Sequence, residues 1–187
     1  MATVVTREAY FRTGIEILAD LGYGGLKLAE VCARLGVTTG SFYHYFDNWA
    51  QYTHELVEHW LTGLTGERVA HLQSETDPHR RIDLLIEMGL GLPHDAYAAV
   101  RSWSSVDPRV RAVVVRLDQI RYDLVYTSAL AILKDRRHAD VFAKGALYLL
   151  VGFEQCTLPR DRAALDWMIK QQVRRALEPG NMATVPD

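Results

Sequence analysis

Cysteine is almost missing: the chain has two, Cys32 and Cys156, far apart and in apolar surroundings. They provide neither a disulfide framework nor a metal-ligand spacing, and a reducing cytoplasm is the simplest setting for them. Proline is absent from the first 77 residues. The longest apolar run, GALYLLVGF at 145–153, is too short to span a bilayer, so no membrane segment is expected. The start, MATVVTREAY, lacks the apolar core of a secretory signal. An excess of positive charge is missing too: the formal net charge is −2, which excludes a uniformly basic nucleic-acid coat but leaves room for a local patch.

Catalytic signatures are also wanting. There is no G-x-S-x-G elbow, no Walker loop and no dinucleotide-binding glycine string. HELVEHW at 54–60 has the look of a zinc-protease helix, but His54 and His59 are five apart, about 140° around a helix, and do not share one metal. Cys156, beside Glu154 with no basic neighbour, reads as a small buried side chain. No catalytic residue, metal site or cofactor is expected.

What is present is helical periodicity. Hydrophobic residues make up 49% of the chain, enough to bury a core in its 187 residues. Phe11, Gly14, Leu18 and Leu21 share a face; Leu28, Val31, Cys32 and Leu35 follow i, i+3, i+4, i+7; Trp49, Tyr52 or Thr53, Leu56 and Trp60 continue with the same helical spacing. Longer stripes run from Val110 to Ser128 and from Leu165 to Ala176. No sustained alternation of period two occurs, so an all-α chain of about nine helices is predicted. Asp77-Pro78 and Asp107-Pro108 are helix starts, because the carboxylate accepts free amides and proline has none to lose. Pro159 can open a further helix, and Pro179 to Asp187 reads as a frayed tail.

The segment 36–46, GVTTGSFYHYF, joins two short helices. Gly36 can take the left-handed conformation that ends the first. Val37 can plug the corner and Thr38 can cap the second. That is a helix-turn-helix. Phe42 and Phe46 face the core, while Thr39, Gly40, Tyr43 and His44 fall on another face. Gly40 admits a close backbone approach; Thr39 and Ser41 sit near a helix N-terminus, which favours an anion such as phosphate. Tyr43 and His44 are placed for phosphate or base contact.

Residues 7 to 49 resemble the DNA-binding head of the TetR family of transcriptional regulators. The strings that carry the resemblance are AYFRTGIEILADLGYGG, LAEVCARLGV and TTGSFYHYFDN. The chain departs from the family at Leu26 and Lys27, where threonine or serine is usual, and at Trp49, where lysine is frequent; Lys27 can still reach a phosphate. The resemblance implies a three-helix head over 1–46 and a larger effector-binding and dimerisation body over 47–187. It implies a homodimer on a palindromic double-stranded operator, released by an unknown small-molecule effector, in the manner of a repressor. The DNA-contacting set is then Lys27, Thr38, Thr39, Gly40, Ser41, Tyr43 and His44. Helices at about 138–157 and 160–178 would pair with their copies, and a helix over 47–72 would be shared by head and body. Trp60, Tyr97, Trp103, Tyr122 and Tyr126 could supply aromatic walls for an apolar or aromatic effector, though core packing is the simpler expectation for each alone. Arg101, Arg109, Arg111, Arg116 and Arg121 could pair an anionic ligand, though ion pairs with Asp107, Asp118 or Asp123 are the simpler expectation. The alternative is a helical binding or interaction module without operator recognition. Residues 1–50 carry four basic against five acidic side chains, so weak non-specific binding to phosphate is expected.

Overall fold

The structure is a computed structural model that describes residues 5–65 and 67–177. Ten helices and no strand occur among the described residues: α1 Arg7–Gly25, α2 Leu28–Leu35, α3 Thr39–Tyr43, α4 Trp49–Thr65, α5 Glu67–Ser74, α6 Pro78–Leu90, α7 His94–Trp103, α8 Pro108–Leu133, α9 Arg136–Gln155 and α10 Arg162–Leu177. The all-α expectation holds, with ten helices where about nine were read. The helix expected over 47–72 corresponds to α4 and α5, the described residues on either side of residue 66. The tail from Pro179 lies outside the described residues.

The caps follow local chemistry. Thr6 Oγ1 accepts from the Ala9 amide at the start of α1 (3.2 Å). Asn48 Oδ1 accepts from Gln51 N (2.8 Å) while Gln51 Oε1 accepts from Asp47 N (2.7 Å), a reciprocal clasp at the start of α4. Asp77 caps α6 with Pro78 in its first turn, and Asp107 accepts from the Arg109 amide of α8 (2.9 Å). At α10 the cap is Asp161, which accepts from Ala164 N (3.0 Å), so the helix starts later than a Pro159 signal implies. Gly22, at φ 67°, breaks the regular helix of α1. That break explains why Leu21, expected on the core face, is 52% exposed.

The chain divides into two compact units. The first takes the residues up to 66 and Pro93–Arg116; the second takes Glu67–Leu92 and Leu117 onward. In the first, α1 packs on α2, α4 and α7, and α2 packs on α3. Its centre is aromatic. Phe42 lies 5.0 Å from Phe46 and 5.4 Å from Tyr52 by ring centroids, and Tyr10 meets Phe42 and Phe46 edge-on. Trp49 lies 4.9 Å from Tyr52, as part of this cluster.

Gly14 lets α1 approach α4. A Cβ there would run into the Tyr52 hydroxyl and come within 2.9 Å of a Leu56 methyl. That hydroxyl donates to Tyr10 O (2.9 Å) inside the core. Gly14→Ala is expected to cost about 1–3 kcal/mol through overpacking, read as a fall in thermal midpoint. Adding Tyr52→Phe should recover part of that loss, because the clashing atom is then gone.

In the second unit Ile82, Ala129, Ala139 and Phe142 form the buried centre, flanked by Val125, Tyr126 and Val173. Here α10 packs on α6 and α9. Tyr122 donates to Asp140 (2.7 Å) and stacks on Tyr126 at 5.6 Å. The bond to Asp140, then burial, pushes the Tyr122 phenol up to about 12. The bonded form is the neutral phenol, so its contribution is intact below the ordinary tyrosine value and is lost as pH rises through about 12. An ultraviolet titration should show this phenolate forming late, and Asp140→Asn should bring it forward.

Two smaller expectations are corrected. Cys156 is exposed, not buried, because it sits just past the end of α9. Arg116 pairs with Glu58 of α4, not with a nearby aspartate of its own run.

Candidate nucleic-acid interface

The corner at 36–46 forms as its residue types require. Gly36 is left-handed (φ 65°, ψ 32°) and closes α2, its amide donating to Ala33 O (3.1 Å). Thr38, extended, accepts from Ser41 N through its hydroxyl (3.3 Å) and so starts α3. The helix is short, with Thr39–Tyr43 as its five residues. It is held from beneath by Phe42, fully buried, and by Phe46 just beyond it, 1% exposed. Tyr45, half-buried, donates its hydroxyl to Val5 O, which ties the corner to the residues before α1.

Anchoring one face leaves the other open. Thr38, Thr39, Gly40, Tyr43 and His44 are exposed, Ser41 is half-exposed, and Tyr43 shows 54% of its surface. A Cβ on Gly40 would meet only Thr38 Oγ1, at an ordinary 3.5 Å, so the local fold has no need of glycine there. The corner thus presents hydroxyls, a phenol, an imidazole and a bare stretch of backbone on one outward surface. Lys27, exposed, is the N-terminal flank of α2 and makes no side-chain cap. Leu26 beside it is buried, which accounts for an apolar residue where a capping hydroxyl was anticipated.

Charge on this unit is mostly spent internally. Arg34 bridges Asp20 (2.7 Å) and Glu30 (2.9 Å). Arg12 faces Glu16 at 3.9 Å, and Arg7 pairs with Glu55 while lying over the Phe46 ring. Of the four basic residues in the first fifty, Lys27 alone has no ion pair among the described residues.

The five aromatic residues expected around an effector are not all brought together. Trp60 and Tyr97 pack against each other at 4.7 Å, 6% and 2% exposed, inside the first unit. Trp103, also in that unit, stacks on Tyr23 at 4.9 Å and lines a cavity. Tyr122 and Tyr126 belong to the second unit. His54 lines the same cavity as Trp103, whereas His59 stacks on Phe11 at 4.7 Å, so the two histidines of HELVEHW serve different neighbours. The Tyr23–Trp103 stack and the cavity were not visible in the sequence, because no local spacing links residue 23 to residue 103.

Residues 11–51 match the family model described as bacterial regulatory proteins, tetR family. No curated protein sequence matches the chain. Solved structures share its fold over nearly the whole length. One is assigned as a transcriptional regulator of Saccharomonospora viridis, in complex with choline: 17% identity, TM-score 0.77, covering 90% of this chain and 95% of that one. A TetR transcription regulator from Haloarcula marismortui gives 16% identity, TM-score 0.74, and 91% and 95% coverage. AibR in complex with isovaleryl coenzyme A and operator DNA gives 14% identity, TM-score 0.68, and 88% and 96% coverage. The fold is that of TetR regulators, and the matched segment contains the helix-turn-helix.

Proposed function

We propose, from a tetR-type head carried on this fold, that the chain is an effector-responsive DNA-binding regulator and acts as a repressor. The observation that carries the reading is the exposed face of α3, with Thr39, Gly40, Tyr43 and His44 outward over a fully buried Phe42. Thr39, Ser41 and the free amides at the start of α3 meet phosphate; Tyr43 and His44 reach phosphate or base edges; Lys27 and Thr38 contact the backbone. Residues 1–46 are the head and 47–187 the body. Such a protein works in the cytoplasm, beside DNA and in reducing conditions.

A dimer is supported by apolar surface left on the last two helices and between them. Tyr148 and Leu158 are each 71% exposed, Trp167 61% and Met168 45%. Large apolar side chains left exposed on two helices that pack together support an interface there, and a two-fold pair suits a palindromic operator. Trp167→Lys with Tyr148→Lys is expected to give a monomer in sedimentation and to lose operator binding; an unchanged dimer would move the interface elsewhere.

Release follows from a shift between head spacings that do and do not fit two successive major grooves. The helix α4, which follows the corner with only 44–48 between, carries the motion. The neighbours bound to choline and to isovaleryl coenzyme A support a small-molecule effector. The regulator reading is tested by selecting bound sequences from random DNA. Enrichment of a palindrome, protected around one or more turns, is expected; no enrichment leaves a helical interaction module. With one unpaired lysine per head, the slope of log affinity on log salt should be near about −2 for the dimer.

A further inference from the structure

A cavity of about 110 Å³ opens in the first unit between the start of α4, the end of α7 and the start of α8. Its lining divides by chemistry. Val57, Val110 and Val113, all nearly buried, form an apolar wall. Trp103 forms part of another side, 2% exposed, with its indole N–H buried and without a hydrogen-bond partner among the described residues. Asp107 and Arg109 both border the cavity, and neither makes an ion pair among the described residues. Asp107 holds one carboxylate oxygen on the Arg109 amide as the cap of α8, and its second oxygen has no such duty.

Thr53 and His54 also line the cavity, and opposite charges two residues apart, unpaired with each other and sharing this small recess, are complementary to a small zwitterion. We propose that this cavity binds a free aliphatic α-amino acid with a short branched side chain. Its carboxylate meets Arg109 as a charge-assisted pair, its ammonium meets Asp107, and its side chain fills the space against the three valines. A simple carboxylate would leave Asp107 facing like charge, and a simple amine would do the same to Arg109. The size agrees: an apolar cavity of roughly 150 Å³ admits a benzene ring, and this recess, at about 110 Å³, takes three or four carbons.

The position gives the occupant a route to the head. Trp103 stacks on Tyr23, which follows the Gly22 break near the end of α1. An occupant pressing on Trp103 acts on Tyr23 and so on the helix that packs against α2. That consequence rests on the regulator reading, whereas binding itself does not, so binding is measured on the full chain without DNA.

The probe is L-valine, and the reporter is the Trp103 indole N–H resonance, assigned with Trp103→Phe. L-valine is expected to shift this resonance saturably and to leave that of exposed Trp167 in place. Isovalerate, which lacks the ammonium, and isobutylamine, which lacks the carboxylate, are each expected to bind at least about tenfold more weakly. Arg109→Gln, at an exposed position in the first turn of α8, removes one charge; Ala50→Leu, at an exposed position on α4, narrows the recess; both should retain the wild-type melt and lose the shift. No saturable shift with L-valine, equal binding of the truncated compounds, or an undiminished shift in Arg109→Gln would overturn the assignment. Valine binding with no palindrome enriched from random DNA would keep the site and remove the regulatory role.

Discussion

Gly40→Ala is expected to leave the fold intact and to lower operator affinity by roughly 5- to 150-fold, about 1–3 kcal/mol. The two halves of that expectation have separate causes. A methyl at position 40 meets only Thr38 Oγ1 at 3.5 Å, so nothing inside the molecule resists it. Within a helix, alanine is also favoured over glycine by about 0.5–1 kcal/mol, so the melt should hold or rise slightly. The loss must therefore come from outside, where the methyl holds the backbone of α3 away from the duplex. Calorimetry and a titration against the selected operator read the two effects independently. A variant that binds DNA as tightly as the parent would show that α3 does not approach the duplex at this residue. The reading of Thr39, Tyr43 and His44 as contacts would then lose its geometry.

Phe42→Ala should act in the opposite way, through the interior. Phe42 is fully buried and its ring meets those of Tyr10, Phe46, Trp49 and Tyr52. Truncating a buried phenylalanine costs about 3–5 kcal/mol in lost transfer energy and cavity formation. Domain stabilities run to about 5–15 kcal/mol, so the loss is a large fraction of the total. An early melting step is expected, with operator binding lost as a consequence. A conservative Phe42→Leu should fall between. If Phe42→Ala melts with the parent, the aromatic cluster is not what seats α3.

These two neighbours, 40 and 42, show which parts of the structure could be read from the chain. Their opposite orientations follow from helical geometry alone, as do the left-handed Gly36, the Thr38 cap and the Asp-Pro starts of α6 and α8. Each is a matter of one to four residues. What escaped the sequence depends on distance. The paired state of Arg7 needs Glu55, and that of Arg34 needs Asp20. The packing of α7 against α1 joins distant parts of the chain, and it brings Tyr23 to Trp103. The aromatic residues expected around an effector were chosen by type, and type does not separate a core ring such as Tyr97 from a cavity wall such as Trp103.

Cys32 is buried and Cys156 exposed. For a thiol reagent the folded chain therefore has a single address. That address lies two residues before Leu158, on the surface proposed to pair, so a maleimide is expected to modify a monomer quickly and a dimer slowly. The rate of labelling with and without operator would report how firmly the two copies are joined when the heads are engaged.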